Sequence, residues 1–282
     1  MTAQASKAQA LKARSLLRFS PDARLRDADA AREPLSGAAG AEDKADIKEA
    51  TARLLERLAE LQPMLHAQGK HKLLLVLQGM DTSGKDGAVR SLFSTINPVG
   101  LRAVSFKAPT EIESGHDFLW RVHRQTPAKG ELVVFNRSHY EDVLITRVLG
   151  MIDAKECKRR YAHIRDFERM LAETGTTILK VFLHISKDEQ RERLQARLDD
   201  PAKRWKLDPA DFEQRKKWPA FQRAYQDAMQ ATDADHAPWY VVPADSKPHR
   251  NLAIASLLLE TLEGLKLDWP KPDPALLDMK FK

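Results

Sequence analysis

The stretch LLLVLQGMDTSGKDGAV, residues 73–89, runs an unbroken apolar segment into a glycine loop that ends Gly84-Lys85. Leu73 to Leu77 show no alternation of polar and apolar residues, as expected of a strand covered on both faces of a parallel sheet. Gly79 and Gly84 allow the backbone to turn its N–H groups toward one phosphate, and the helix that follows adds its dipole. Lys85 places a compact cation at the same point. The spacing is that of a P-loop in its required context, strand before and helix after. One letter departs from the pattern: the hydroxyl residue that should follow the lysine is replaced by Asp86, and a second carboxylate, Asp81, sits within the loop.

Around this loop strands and helices alternate. Apolar residues at helical period from Ile47 to Leu65 predict an amphipathic helix over 42–68, and the segment 88–96 predicts another after the loop. Strands are expected at 102–106, 131–135, 176–185 and 239–242. Helices are expected at 113–126, 143–149, 155–173, 187–198 and 250–265. Such alternation predicts an α/β fold, a P-loop kinase-like doubly wound parallel sheet with helices on both faces. Residues 188–237 carry many charges and no strand signal, and are expected as a helical lid inserted into a domain spanning 41–270. Residues 1–40, closed by Ser36-Gly37-Ala38-Ala39-Gly40, are expected as a loosely ordered arm, and 271–282 as a tail.

Composition narrows the partners. The net charge of +6, from 46 basic and 40 acidic side chains, suits a polyanionic ligand without requiring one. The single cysteine, Cys157, excludes an internal disulfide and a thiolate metal cluster. No apolar run reaches the roughly 18 residues of a membrane span, and the N-terminus lacks a secretory core. A cytoplasmic protein with no membrane partner is expected. The five tryptophans are scattered rather than interleaved with basic residues, so no nucleic-acid partner is expected, and the nine histidines lack zinc-ligand spacing.

Two strand ends carry the chemistry. In the loop, Asp81 is the candidate ligand for Mg²⁺, with Mn²⁺ as a substitute, because a carboxylate suits a hard cation. Orienting a nucleophile and capping the loop backbone stay open as its other roles. Asp86 begins a helix and is expected to complement its dipole. The second strand end reads FNRSHYED, residues 135–142. P-loop proteins place a metal-binding acid here. This chain has Asn136 instead, followed by Arg137, which can grip phosphate oxygens and stabilise charge on a transferring phosphoryl. Glu141 and Asp142 open a helix, while His139 and Tyr140 are expected to pack. In the lid, Arg193 and Arg197 share a helix face, and Lys-Arg-Trp-Lys follows with Arg204 and Lys206. Lys247 and Arg250 come after the last strand, at the same sheet edge as the loop, and are expected to border the base or phosphate site.

The loop Gly79–Gly87, the run PAKGELVVFNRSHYEDVL and the lid together resemble the polyphosphate kinase 2 family, from about Asp43 onward. Gly79, Asp81, Gly84 and Lys85 match its loop, Gly-x-Asp-x-x-Gly-Lys, and Asn136, Arg137 and Ser138 match its second motif. The resemblance implies phosphoryl transfer between inorganic polyphosphate and adenine nucleotides, with Mg²⁺. Ser-His-Tyr-Glu-Asp-Val-Leu is similar to the class III branch, which implies action on both AMP and ADP to give ADP and ATP, with Glu141 at the branch-marking position. Asp81, Lys85, Arg137 and Glu141 are then the expected catalytic residues. Gly79, Thr82, Ser83, Gly84, Gly87 and Asn136 are expected to hold phosphates or nucleotide, together with Lys107, Arg121, Arg197, Arg204 and Lys206. A homo-oligomer is also implied. The competing expectation is an ATP-dependent nucleoside or nucleoside monophosphate kinase on the same fold, against which the missing hydroxyl at Asp86 counts.

Overall fold

The computed structural model describes residues 12–277 and 279. Five parallel strands form one sheet in the order β2-β3-β1-β4-β5, with β1 Lys72–Gly79, β2 Leu101–Ser105, β3 Leu132–Asn136, β4 Thr176–His184 and β5 Trp239–Pro243. The helices are α1 Ala13–Leu16, α2 Lys44–Gln68, α3 Lys85–Phe93, α4 Glu111–Ser114, α5 Trp120–His123, α6 Ile145–Val148, α7 Ala154–Glu173, α8 Lys187–Asp199, α9 Pro209–Lys216, α10 Trp218–Thr232, α11 Lys247–Gly264 and α12 Pro274–Leu277. This is the α/β architecture expected, with helices on both faces. Among the described residues no helix is long and apolar enough to cross a membrane.

The apolar run of β1 explains the layering. Successive side chains point to opposite faces: Leu73, Leu75 and Leu77 enter a core made with α2, α3 and α11, while Leu74 and Val76 enter a second core with α7 and α10. The central strand is therefore dry on both sides, and its C-terminal end carries the loop out to the sheet edge. Register places Leu77 opposite Asn136 and Gly79 opposite Leu183. The ends of β1 and β3 thus open side by side, where ligands of open α/β sheets bind.

Three expectations need correction. Residues 113–126 form two single helical turns, not one helix, because Asp117 turns its carboxylate onto the N–H groups of Leu119 and Trp120 and starts a new turn. Residues 143–149 divide similarly, with a 3₁₀ turn at His139–Val143 before α6. The described part of the N-terminal arm is packed. Leu17 and Phe19 are buried, Arg18 bridges Tyr240 in antiparallel fashion, and Val241 N–H donates to Leu17 O at 2.8 Å. The arm covers the open edge of β5, which an exposed strand otherwise presents to other chains. Residues 1–11 lie outside the described residues, as do 278 and 280–282 of the tail. In the segment expected as a lid, α8, α9 and the turn between them line the main cavity on the loop, and Phe221 and Tyr225 of α10 border a smaller one beside Gly79 and Asp81. α10 buries Phe221, Ala224, Tyr225 and Met229 in the second core.

Candidate active site

Two backbone requirements explain the loop's glycines. At Gly84, φ is +96°, a left-handed conformation that side chains resist. At Gly79, an added Cβ would lie 2.7 Å from both Leu183 O and Ser83 Oγ. The loop folds over Lys85, whose Nζ donates to Gly79 O at 2.7 Å and Met80 O at 3.2 Å. Burial, then the nearby Arg137, pulls the Lys85 pKa down to about 8, against the opposing pull of Asp81 and Glu141. The buried hydroxyls of Thr82 and Ser83 have no partner among the described residues, and Thr82 holds a left-handed φ of 64°. Strained backbone and unpaired donors of this kind gather at ligand sites.

Helix α8 fastens the loop from behind. Arg193 donates to Thr82 O at 3.0 Å and to the carbonyls of Ala244 and Asp245, while its Nε reaches Glu189 at 2.7 Å. Gln190 Nε2 donates to Asp81 O at 3.1 Å. Helix α8 is thereby tied both to the loop and to the chain after β5.

The second strand end meets the first through Arg137. This residue also has a left-handed φ, 62°, and its Nη2 donates to Asp81 Oδ1 at 2.9 Å. Its side chain is 41% exposed, on the wall of a cavity. Burial works against its charge, but Glu141 and Asp81 outweigh it and raise its pKa. Asn136 Nδ2 donates to Asp86 Oδ1 at 2.6 Å, so the residue in place of the hydroxyl is anchored to the neighbouring strand end while it sits in the first turn of α3. Glu141 faces this group. Burial raises its pKa, partly offset by Arg137 and Lys85. Oriented with its nitrogen toward Glu141, the buried Gln78 amide donates to that carboxylate at 3.1 Å and accepts from Ser138 N–H at 3.0 Å.

A cavity of about 720 Å³ opens between the loop and helices α8 and α9, and ten of its lining side chains are Lys or Arg against four Asp. Asp81, Thr82, Gly84, Lys85, Gly87, Lys107, Asn136, Arg137, Arg197 and Lys206 lie on its wall. Gly79 and Glu141 line a smaller cavity of about 30 Å³, beside Tyr225 and Phe221; Asp81, Arg137 and Gln214 border both. Three of the expected residues stand elsewhere. Ser83 is buried beneath the loop. Arg121 is buried, donates to Lys107 O at 2.8 Å, lies 3.5 Å from Asp142 and packs over Phe106; it shapes the segment carrying Lys107 and does not line the cavity. Arg204 is exposed and donates to Leu198 O. Trp205, Lys203, Lys247 and Arg250 do line the cavity. Arg193 escaped as a site residue because Glu189, four positions earlier, makes it read as half of a surface pair.

A sequence model of the family described as Polyphosphate kinase 2 (PPK2) matches residues 41–269. An AMP/ADP-polyphosphate phosphotransferase of Meiothermus ruber is 56% identical over 227 residues, covering 80% of this chain and 85% of that protein. An ADP-polyphosphate phosphotransferase of Rhodopseudomonas palustris is 43% identical over 246 residues, covering 83% and 85%. The crystal structure of polyphosphate kinase 2 from Arthrobacter aurescens TC1 superposes with a TM-score of 0.89 at 47% identity, over 96% of this chain and 95% of that one. With a family match spanning most of the chain and relatives of this identity, the protein belongs to the polyphosphate kinase 2 family.

Proposed function

We propose that this protein is a polyphosphate-dependent nucleotide kinase that moves a phosphoryl group between inorganic polyphosphate and AMP or ADP, making ADP and ATP. The carrying observation is the cation-lined cavity on the P-loop: ten basic side chains in one concavity suit a polyanion longer than a nucleotide's own phosphates. The Meiothermus ruber relative, an AMP/ADP-polyphosphate phosphotransferase, supports the choice of AMP and ADP.

Phosphoryl transfer needs positioning and charge stabilisation more than covalent chemistry. Lys85 and the loop amides hold the transferring group. Arg137 stands where charge develops on its oxygens and is itself oriented by Asp81. Arg197, Lys203 and Lys206, on the lid side, neutralise the rest of the donor chain. Glu141, beside Arg137 in the smaller cavity, is placed to bias which acceptor fits.

The donor set suits Mg²⁺, or Mn²⁺ in its place. Among the described residues no group of three acidic or His side chains converges, and Mg²⁺ characteristically takes one or two carboxylates and draws its remaining ligands from phosphates and water. Asp81, on the cavity wall, would hold it. A bound divalent ion supplies charge neutralisation of the phosphoryl oxygens. A homo-oligomer in the cytoplasm fits the same reading.

The test separates donors. With Mg²⁺ and AMP, or ADP, the protein receives either long-chain polyphosphate or ATP, and the nucleotides are resolved by anion exchange. Conversion of AMP to ADP and then ATP with polyphosphate alone is expected. Reaction of ADP only would remove AMP from the acceptors; ATP as the sole effective donor would overturn the proposal in favour of an ATP-dependent nucleotide kinase.

A further inference from the structure

Helix α11 contributes a buried arginine that the loop and lid leave without a task. Arg250 is 3% exposed and lines the main cavity with Lys247. Its Nε and Nη2 both donate to the one Oδ1 of Asn251, at 3.1 and 2.8 Å. Among the described residues its Nη1 has no hydrogen-bond partner, and no acid offsets its charge. That Nη1 lies against Gly84, where an added Cβ would collide with it, and Nη2 would stand 3.6 Å from a Cβ on Gly87. The guanidinium is therefore pressed onto the N-terminal turn of α3, at Gly84 and Gly87.

An arginine kept for packing would look like its neighbour. Arg193 spends its nitrogens on Glu189 and on three backbone carbonyls. Arg250 has neither acid nor carbonyl, and a charge held out of water without a counter-charge is strongly unfavourable. Its surroundings make this worse: burial and then Arg193 pull its pKa down to about 10, and burial followed by Arg193 lowers that of Lys247. The missing partner is an anion, and an anion-binding turn lies in contact with it.

We propose that Arg250, seconded by Lys247, is an anion-binding residue of the phosphate cradle, taking oxygens of a condensed-phosphate chain at the phosphate next to the one held by Lys85. It rests on the reading of the donor as polyphosphate. A planar guanidinium offers two parallel N–H bonds to such an anion, and Gly84 is then required for two reasons, its φ and the space that Arg250 occupies.

The test is binding without turnover. Titration calorimetry with tripolyphosphate, without nucleotide, compares the unaltered protein with Arg250→Met and Arg250→Lys, and melting curves are taken with and without the anion. Arg250→Met is expected to bind at least about tenfold more weakly while its anion-free melting temperature stays at or above that of the unaltered protein. A packing role predicts the reverse, a lower melting temperature with unchanged affinity. Binding within threefold of the unaltered protein overturns the proposal. If Arg250→Met does not fold, Arg250→Lys decides: it keeps the charge but loses the fork, so a loss of threefold or more supports the assignment and a smaller one overturns it. Because no phosphoryl transfer is read, a protein that transfers from polyphosphate yet is insensitive at Arg250 loses only this proposal, and one that binds tripolyphosphate through Arg250 yet uses only ATP loses the donor reading.

Discussion

Replacing Lys85 by Met should change how stability depends on pH. The lysine's pKa falls from the ordinary 10.5 to about 8, so folding depletes a proton that the unfolded chain still binds between those values. By linkage, stability rises with pH wherever the unfolded state holds more protons. The cost of burying the charge is thus fully present below pH 8 and is lifted as pH rises toward 10.5. A depression of this size corresponds to about 3 kcal/mol, or on the order of 5 °C in melting temperature for a chain of this length. Lys85→Met also removes two hydrogen bonds to carbonyls, so its absolute stability at pH 7 is not the readout. The readout is the difference between variant and unaltered protein, which should be flat below pH 8 and fall by about 3 kcal/mol by pH 10.5. Every other lysine and tyrosine titrates in both proteins and cancels. Denaturant unfolding at half-unit pH steps, in phosphate-free buffer, measures it. Saturating tripolyphosphate should abolish the slope, because an anion on Lys85 restores its proton. Parallel curves for the two proteins without anion would refute the reasoning.

Other perturbations separate chemistry from scaffold. Asp81→Asn should lower kcat by about 10²-fold and move the Mg²⁺ requirement to higher concentration; near-normal turnover at limiting Mg²⁺ would remove Asp81 from metal binding. Arg137→Ala should cost on the order of 10³-fold in kcat with an unchanged circular-dichroism spectrum and melting temperature, and an equal loss of stability would mark it as a scaffold residue. Glu168→Gln breaks a fully buried ion pair with Lys180, 2.6 Å long, and should cost about 3–5 kcal/mol in denaturant unfolding; a change under 1 kcal/mol would contradict the pairing. Deleting residues 1–20 uncovers β5 and should produce concentration-dependent light scattering, whereas a monodisperse, equally stable protein would show that the edge needs no cover.

The sequence exposes most plainly what is local. The P-loop declares itself because strand, glycines, lysine and helix are contiguous, and β1 does so because its segment dry on both faces, Leu73 to Leu77, has no polar letters. The helical insertion shows as charge without strand signal, although its last helix belongs to the second core. Groups assembled from distant segments are hidden. Strand alternation brings Arg250 to the sheet edge of the loop, but its contact with Gly84, across 166 positions of chain, follows no spacing rule. Tyr140, expected only to pack, belongs to a buried network with Glu168, Lys180 and Thr232, three elements apart in sequence. The N-terminal arm misleads because its buried residues follow the contour of a sheet edge, which has no helical or strand period to detect.

Two buried lysines show how the structure distinguishes a scaffold cation from a binding one. Lys180 lies within reach of a carboxylate, a phenol and a carbonyl, the Glu168 Oε2, the Tyr140 hydroxyl and Thr232 O, so its charge is complete without any ligand. Lys85, buried on the wall of the cavity, has carbonyls alone, and the carboxylate nearest its loop is turned toward Arg137. The unpaired hydroxyls of Thr82 and Ser83, the left-handed backbone of Thr82 and Arg137, and the acid-free Arg250 belong to the same small region. Backbone strain of this kind costs about 1–3 kcal/mol per residue, and unmet buried donors cost comparable amounts. A rigid fold can hold such a site open because its two cores are elsewhere, on the faces of the sheet rather than at its edge. On the reading proposed above, an anion entering the cavity relieves the uncompensated cations and the Thr82 hydroxyl on its wall together. Its binding free energy therefore appears as added stability, about 2.7 kcal/mol at a hundredfold excess over Kd, and the resting protein is the less comfortable of its two states.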